Sequence, residues 1–500
     1  MGTVRAPQTL VSWIAAVVAA RRQHPAVIEG TLSWSYTDLW SRSEQVARAV
    51  SALPTFASGT RVALIGANDP QYLAAYFGVL RAGGVVVPLN PRLANAEIAN
   101  QVRFVGAIGT IVGDVDTETS DALGLAAPVW RLPELRGGRS GALPTLGPQS
   151  SACILLTSGS TGEPKGVVHS QGTLLHAALQ IAAALPFSPD DRAVAFLPFF
   201  ASIPELVLPT LVSGGALDIV RRFDVELIAR ACQRATCLDA IPTLMARLLH
   251  GGVMDDLRKL RWLMFASEAM PPPLLEQWWA ELPGVATHEI YGMTELLTMT
   301  YAPPALLREA PQSVGRPFPT SAVAVVDSAG QPVPIGSSGE VICRSPARML
   351  GYLDAPAATA AVLDRAGWMR TGDLGEFDES GRLRLTGRLK DQINSGGLKV
   401  APGEIESVAL RHPQVIAAVV VGIPDLRWGE TPVVVAVRAV GSSLAAADVL
   451  AFCRRELGGF KRPSGAAVVE SLPQIGIGKV AKDEIKQRVL SGELQIVRAS

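Results

Sequence analysis

Residues 155–166 read Leu155-Leu156-Thr157-Ser158-Gly159-Ser160-Thr161-Gly162-Glu163-Pro164-Lys165-Gly166. An apolar run feeds a stretch crowded with hydroxyls and glycines, with one lysine near its end. Glycine lets the backbone turn its amides toward an anion, Ser and Thr add donors, and Lys165 adds a positive charge. Together these suit a polyphosphate. The stretch departs from the GxxxxGK[ST] pattern of P-loop NTPases, because its lysine follows Pro164 and precedes Gly166. A flexible surface loop would tolerate much of this composition, but it would not require an apolar strand leading into so dense a run of donors. The reading is a phosphate loop built from Thr157, Ser158, Gly159, Ser160, Thr161, Gly162 and Lys165.

Outward from this loop, apolar runs at 61–65, 84–88, 154–156 and 194–197 alternate with helical patterns at 70–82, 226–234 and 243–250. Such βαβ alternation predicts largely parallel sheets covered by helices, an α/β fold. Shorter runs at 323–327, 339–342 and 382–386 follow one another as hairpins do and predict a more antiparallel portion. Beyond Gly387, strands at 416–421 and 433–437 and helices at 445–457 and 482–490 predict a compact α+β C-terminal domain. The expected organisation is a large composite N-terminal domain over 1–387, a connector over 388–393 and a small domain over 394–500.

Composition narrows the possibilities further. With 500 residues, 48% hydrophobic and 18% charged, the chain is neither disordered nor fibrous. Its 45 basic and 45 acidic residues offer no general attraction to nucleic acid or an anionic membrane, so a polyanion must be held by local features. The charge is unevenly divided, with 15 basic and 11 acidic residues from 388 onward and 30 and 34 before. Five cysteines without CxxC spacing suggest neither a zinc site nor a disulfide framework; they read as reduced, buried thiols, with cytoplasmic residence as the corollary. The apolar stretch 10–20 is too short to span a bilayer and runs into Arg21-Arg22, which predicts a first amphipathic helix and neither a targeting nor a membrane segment.

The phosphate loop resembles that of the adenylate-forming superfamily, which includes acyl- and aryl-CoA ligases, luciferases and adenylation domains. Other segments similar to the family's recur in its order between about residues 31 and 487. Leu32-Ser33-Trp34-Ser35-Tyr36-Thr37-Asp38-Leu39 and Arg81-Ala82-Gly83-Gly84-Val85-Val86-Val87-Pro88-Leu89-Asn90-Pro91 look like its opening structural segments. Tyr291-Gly292-Met293-Thr294-Glu295 is similar to its nucleotide segment. The resemblance implies that Tyr291 lies against adenine, with Gly292 and Met293 beside it, that Thr294 bonds the α-phosphate, and that Glu295 holds Mg²⁺. A carboxylate beside phosphates is repulsive unless a hard cation bridges them. Ser267, Glu268 and Ala269 occupy the place of the adenine-lining strand end, although the family's common Gly-Gly-Ala-Pro form is absent.

Trp368-Met369-Arg370-Thr371-Gly372-Asp373 matches the ribose segment, whose aspartate accepts from both ribose hydroxyls. In Gly387-Arg388-Leu389-Lys390-Asp391, Arg388 would contact ribose or phosphates and Lys390 would be the hinge of a mobile C-terminal domain. Gly396 and Gly397 stand where CoA ligases line the pantetheine tunnel. Lys479, in Gly476-Ile477-Gly478-Lys479, matches the catalytic lysine that would bridge the substrate carboxylate and the α-phosphate.

The implied chemistry is activation of a carboxylic acid by ATP and Mg²⁺ to an acyl-adenylate with loss of pyrophosphate, then transfer to the thiol of CoA. The acid pocket is expected around Phe199, Phe200, Ala201, Met264 and Gly292, with Phe265, Met293 and Met299 as further lining. Phe200 and Ala201 replace the aspartate of amino-acid-activating members and the histidine common in CoA ligases. An α-amino acid is therefore disfavoured unless Glu205 serves its ammonium, and an aryl, cyclic or medium-chain aliphatic acid is favoured. Two other readings stay open: transfer to a carrier protein supplied in trans, and a non-catalytic nucleotide-binding homologue, whose expected mark would be loss of Lys479, Glu295 or Asp373. A homodimer is compatible with the sequence.

Overall fold

The computed structural model describes every residue except 1–6, 54, 114–127, 133–134, 136–140, 159–163, 440, 476–478 and 500, and describes the backbone but not the side chains of Ser158, Phe460, Gln474, Ile475 and Lys479. Its first element is the helix Leu10–Ala20, opened by a Thr9 capping box with Ser12, as the sequence predicts. The helix Pro70–Arg81 shows why the local sequence decides its boundary. Asp69 Oδ1 accepts from the amide of Tyr72 at 2.7 Å, and Pro70 occupies a first-turn position where its missing N–H costs nothing. Every residue of this helix but Gln71 is buried, so it runs through the interior and not along the surface.

Among the described residues the large N-terminal part holds a nine-stranded, a seven-stranded and a four-stranded sheet. In the nine-stranded sheet, Pro25–Glu29, Ala216–Ile219, Arg192–Ala195, Cys237–Ala240, Trp262–Phe265 and Ala286–Tyr291 run parallel, with antiparallel strands added at both edges. The seven-stranded sheet places Ser151–Ser158 beside Val85–Leu89 and Arg61–Ile65, all parallel. One core joins these two sheets, with Val62, Leu64 and Val86 from one, Ala193, Ala195 and Met264 from the other, and the helix Pro70–Arg81 between. The four-stranded sheet, Ala322–Val326, Gly339–Arg344, Met369–Phe377 and Leu383–Arg388, is antiparallel throughout.

The C-terminal part has its own six-stranded sheet and core. The strands Val415–Asp425 and Gly429–Arg438 form a long hairpin, and the helices Pro402–Ala409 and Ala446–Glu456 cover it. The five cysteines are buried and unbridged, because each sits as a small apolar side chain within its core. No helix among the described residues is long and apolar enough to cross a membrane.

Candidate active site

The phosphate stretch forms a hairpin. Thr157 pairs with Lys165 and Ser158 with Pro164 across antiparallel strands, which fixes Thr157 and Lys165 side by side at the base of the turn. Gly159, Ser160, Thr161 and Gly162 lie outside the described residues. Beside this base, Lys165 Nζ stands 5.0 Å from the ring centroid of Tyr352, and Tyr352 Oη donates to Glu295 Oε1 at 2.7 Å. Tyr352 reaches this place because Gly351–Tyr352 pairs antiparallel with Val167 and Val168 of the same hairpin. The hairpin lysine and the Glu295 carboxylate are thereby linked through one phenol, a residue that sequence reading passes over.

The turn 291–297 is held tightly. A Cβ on Gly292 would meet the carbonyl oxygen of Leu297 at 2.1 Å, so only glycine lets the chain fold back on itself here. Leu297 has φ 57° and Ser267 φ 72°, left-handed values that side chains other than glycine rarely adopt. The carbonyl of Thr294 accepts from His169 Nε2 at 2.8 Å, and burial pulls the His169 pKa down to about 4, which leaves a neutral ring. Met349 N also donates to the Glu295 carbonyl at 2.7 Å. Glu295 itself is buried, and no lysine, arginine or histidine among the described residues pairs with it. A carboxylate so placed fits a divalent cation that completes its shell with phosphate oxygens and water.

On the other flank, Asp373 gathers two partners. Tyr291 Oη donates to Asp373 Oδ2 at 2.6 Å, and Arg388 Nε lies 3.0 Å from Oδ1. Register explains the second contact, since Asp373 and Arg388 are directly opposed on antiparallel strands. The Tyr291 phenol is held neutral, its pKa raised well above the ordinary value first by burial and then by the Asp373 charge. Glu268 turns away toward a helix start, its Oε2 accepting from Thr243 N at 3.0 Å and Oγ1 at 2.7 Å, while Ser267 and Ala269 are exposed.

The other expected residues are dispersed. Phe199 and Met264 are fully buried in the core shared by the two large sheets, whereas Phe200 and Ala201 are partly exposed. Phe265 faces the opposite side of its strand, and Met293 and Met299 pack with the four-stranded sheet, so these apolar side chains do not form one wall. Asn68 fixes the turn that carries Phe199, accepting from Phe199 N at 2.9 Å and donating to the carbonyl of Leu197 at 2.8 Å. Lys390 is exposed on a short 3₁₀ turn, Leu389–Asp391. Gly396 and Gly397 are the two central residues of a hairpin turn, with φ of 62° and 81°. A type I′ turn demands positive φ at both positions, which accounts for the pair without any ligand. The side chain of Lys479 lies outside the described residues.

Residues 14–353 match the model of the AMP-binding enzyme family, and residues 404–479 match the AMP-binding enzyme C-terminal domain. The chain is an AMP-binding enzyme. It is 33% identical over 494 residues to a feruloyl-CoA synthase from Amycolatopsis sp, covering 96% of this chain and 99% of the relative. Identity is 32% over 478 residues to an indoleacetate–CoA ligase from Aromatoleum aromaticum, with 91% and 93% covered. Among solved structures, ATP-bound MatB from Rhodopseudomonas palustris superposes with a TM-score of 0.90 at 28% identity, over 96% of this chain and 99% of that one. Within the family this AMP-binding enzyme is an acid–thiol ligase, and its α/β architecture with a separate C-terminal sheet is that of the adenylate-forming enzymes.

Proposed function

We propose that the protein activates an aryl, cyclic or medium-chain aliphatic acid with ATP and passes the acyl group to CoA, releasing pyrophosphate and AMP. The observation that carries this reading is the grouping of Tyr291, Asp373 and Arg388 within hydrogen-bonding reach, beside the turn that holds Glu295. Asp373 offers acceptors to the two ribose hydroxyls, and each of its oxygens keeps a lone pair beyond those used by Tyr291 and Arg388. The donors at the base of the hairpin, Thr157 and Lys165, hold the outer phosphates. When bound, Mg²⁺ would be held by Glu295 and would offset phosphate charge.

The acid's carboxylate must approach a polyanion, and Lys479 supplies the second positive charge that lowers this repulsion as the acyl-adenylate forms. The thiol then needs the space that Lys479 occupied. Rotation of the small domain, 394–500, about the connector 388–393 with Lys390 at its hinge would exchange the two, bringing Gly396 and Gly397 to the thiol's path. The relatives named above are CoA ligases, which supports CoA as acceptor and does not favour a carrier protein. A screen of ATP-dependent pyrophosphate release across carboxylic acids, with CoA present and the thioester identified by mass, tests the reading. Release and thioester with an aryl or cyclic acid are expected; release with no acid of these classes would overturn it.

A further inference from the structure

Buried acids in this chain generally have partners. Asp218 accepts from Arg234 at 2.7 and 3.0 Å, and Asp191 from Arg261 and Thr236. Asp239 is different. It sits on the central parallel strand Cys237–Ala240 at 1% exposure, and neither of its carboxyl oxygens has a hydrogen-bond partner. Its register partner is Met264, so it shares a sheet face with Met264, Ala193 and Ala195, all in the core that also takes in Phe199, Ile203 and Leu206.

The helical segment on that face contains a five-residue π-turn, Ile203–Val207, and in its middle is Glu205. Such turns are rare and cluster at functional sites. Glu205 is near enough for its charge to act on Asp239, and burial raises the pKa of both, Glu205 to about 7 and Asp239 well above its ordinary value. No lysine, arginine or histidine among the described residues pairs with either acid. Two neighbouring carboxyls against an apolar core, one without a side-chain partner, are costly to retain unless a polar group of the ligand reaches them.

We propose that Asp239 and Glu205 recognise the far end of the acid and select one that carries a hydroxyl there over one that ends in bare hydrocarbon. The inference rests on the acid-activating function proposed above and deepens it. A hydroxyl matches the pair because it both donates, to a Glu205 oxygen, and accepts, from the Asp239 O–H; an ammonium has no acceptor to offer that proton. The position agrees, since Asp239 lies one residue below the C-terminal end of its parallel strand, the end at which α/β sheets take their ligands.

The test compares kcat/KM for matched acids: 4-hydroxycinnamic against cinnamic, and 4-hydroxyphenylacetic against phenylacetic. A site built to bond a hydroxyl should favour the hydroxylated member by about tenfold or more. Asp239→Val and Glu205→Leu, which remove the donor and the acceptor outright, should each bring the ratio close to one, mostly through KM. An unchanged ratio in both variants, or a preference for the 4-aminomethyl analogue over the hydroxyl, would overturn the pair's role while leaving acid activation standing. A readout that needs no turnover is the infrared difference spectrum on adding 4-hydroxycinnamate. A protonated-carboxyl band should shift in the wild type and vanish in Asp239→Val; its absence from the wild-type spectrum refutes the proposal even if no acid is turned over.

Discussion

Tyr352 shows where a sequence reading stops at the level of single residues. Tyr291, Glu295 and Asp373 announce themselves through the residues around them, and the structure sets Tyr291 and Asp373 2.6 Å apart. Tyr352 has no such surroundings. Its contact with Glu295 depends on the pairing of a two-residue strand with a hairpin far earlier in the chain, and His169 meets the Thr294 carbonyl across a similar gap. Asp239 was equally invisible, because a lone acid in an apolar strand gives no sign of which partners it lacks. Removing one hydrogen bond to a charged acceptor typically costs about 1.5–3 kcal/mol where that charge matters. Tyr352→Phe should therefore lower the rate of adenylation by roughly tenfold or more, while the ring left against Lys165 keeps the fold and melting temperature close to wild type. Pyrophosphate exchange and a thermal melt measured together check this; an undiminished exchange rate would remove Tyr352 from the site.

Elements were legible where their signal is local. Asp69-Pro70 fixes the start of the helix Pro70–Arg81, and the paired glycines 396 and 397 are explained by the hairpin they turn. What the pattern did not show is which elements become interior, since burial of that helix on all sides depends on two sheets packing over it. The turn 291–297 is the element on which the site depends most. Gly292→Ala places a methyl on the Leu297 carbonyl, and overpacking of this kind costs about 1–3 kcal/mol. Denaturant unfolding should register that loss, and exchange activity should fall with it; wild-type values for both would mean that the turn has room. The strand Ala286–Tyr291 leading into this turn carries Glu289, whose pKa burial raises to about 8. A group that binds its proton more tightly when folded stabilises at low pH and loses that contribution as pH rises through the folded value. His169 and His288, both lowered to about 4, act in the opposite sense but only below about pH 6.5. Glu205 and Asp239, also raised by burial, act in the same sense as Glu289, so stability should fall between pH 6.5 and 8 and Glu289→Gln should remove about 1–2 kcal/mol of that fall. An unchanged slope in the variant, followed by urea unfolding, would exclude Glu289 as its source.

At the scale of the whole molecule, the balanced charge of the sequence covers two unequal bodies, an acidic larger part and a mildly basic smaller one, each with its own sheet and core. Alternation of strands and helices was enough to read the molecule's α/β character. It could not say that Asn68, at the end of one sheet, would clamp the turn carrying Phe199 at the end of another, because such a contact exists only once the sheets are packed. The proposed function likewise belongs to the whole molecule: one site in the large part, to which the C-terminal part would supply a lysine for the first half-reaction only. Lys479→Ala tests this most directly. Its ATP–pyrophosphate exchange with a substrate acid should be abolished, while thioester formation from supplied acyl-adenylate and CoA should stay within about threefold of wild type, since no transition-state contact of Lys479 is used there. Equal loss of both half-reactions, or retention of exchange, would contradict the account.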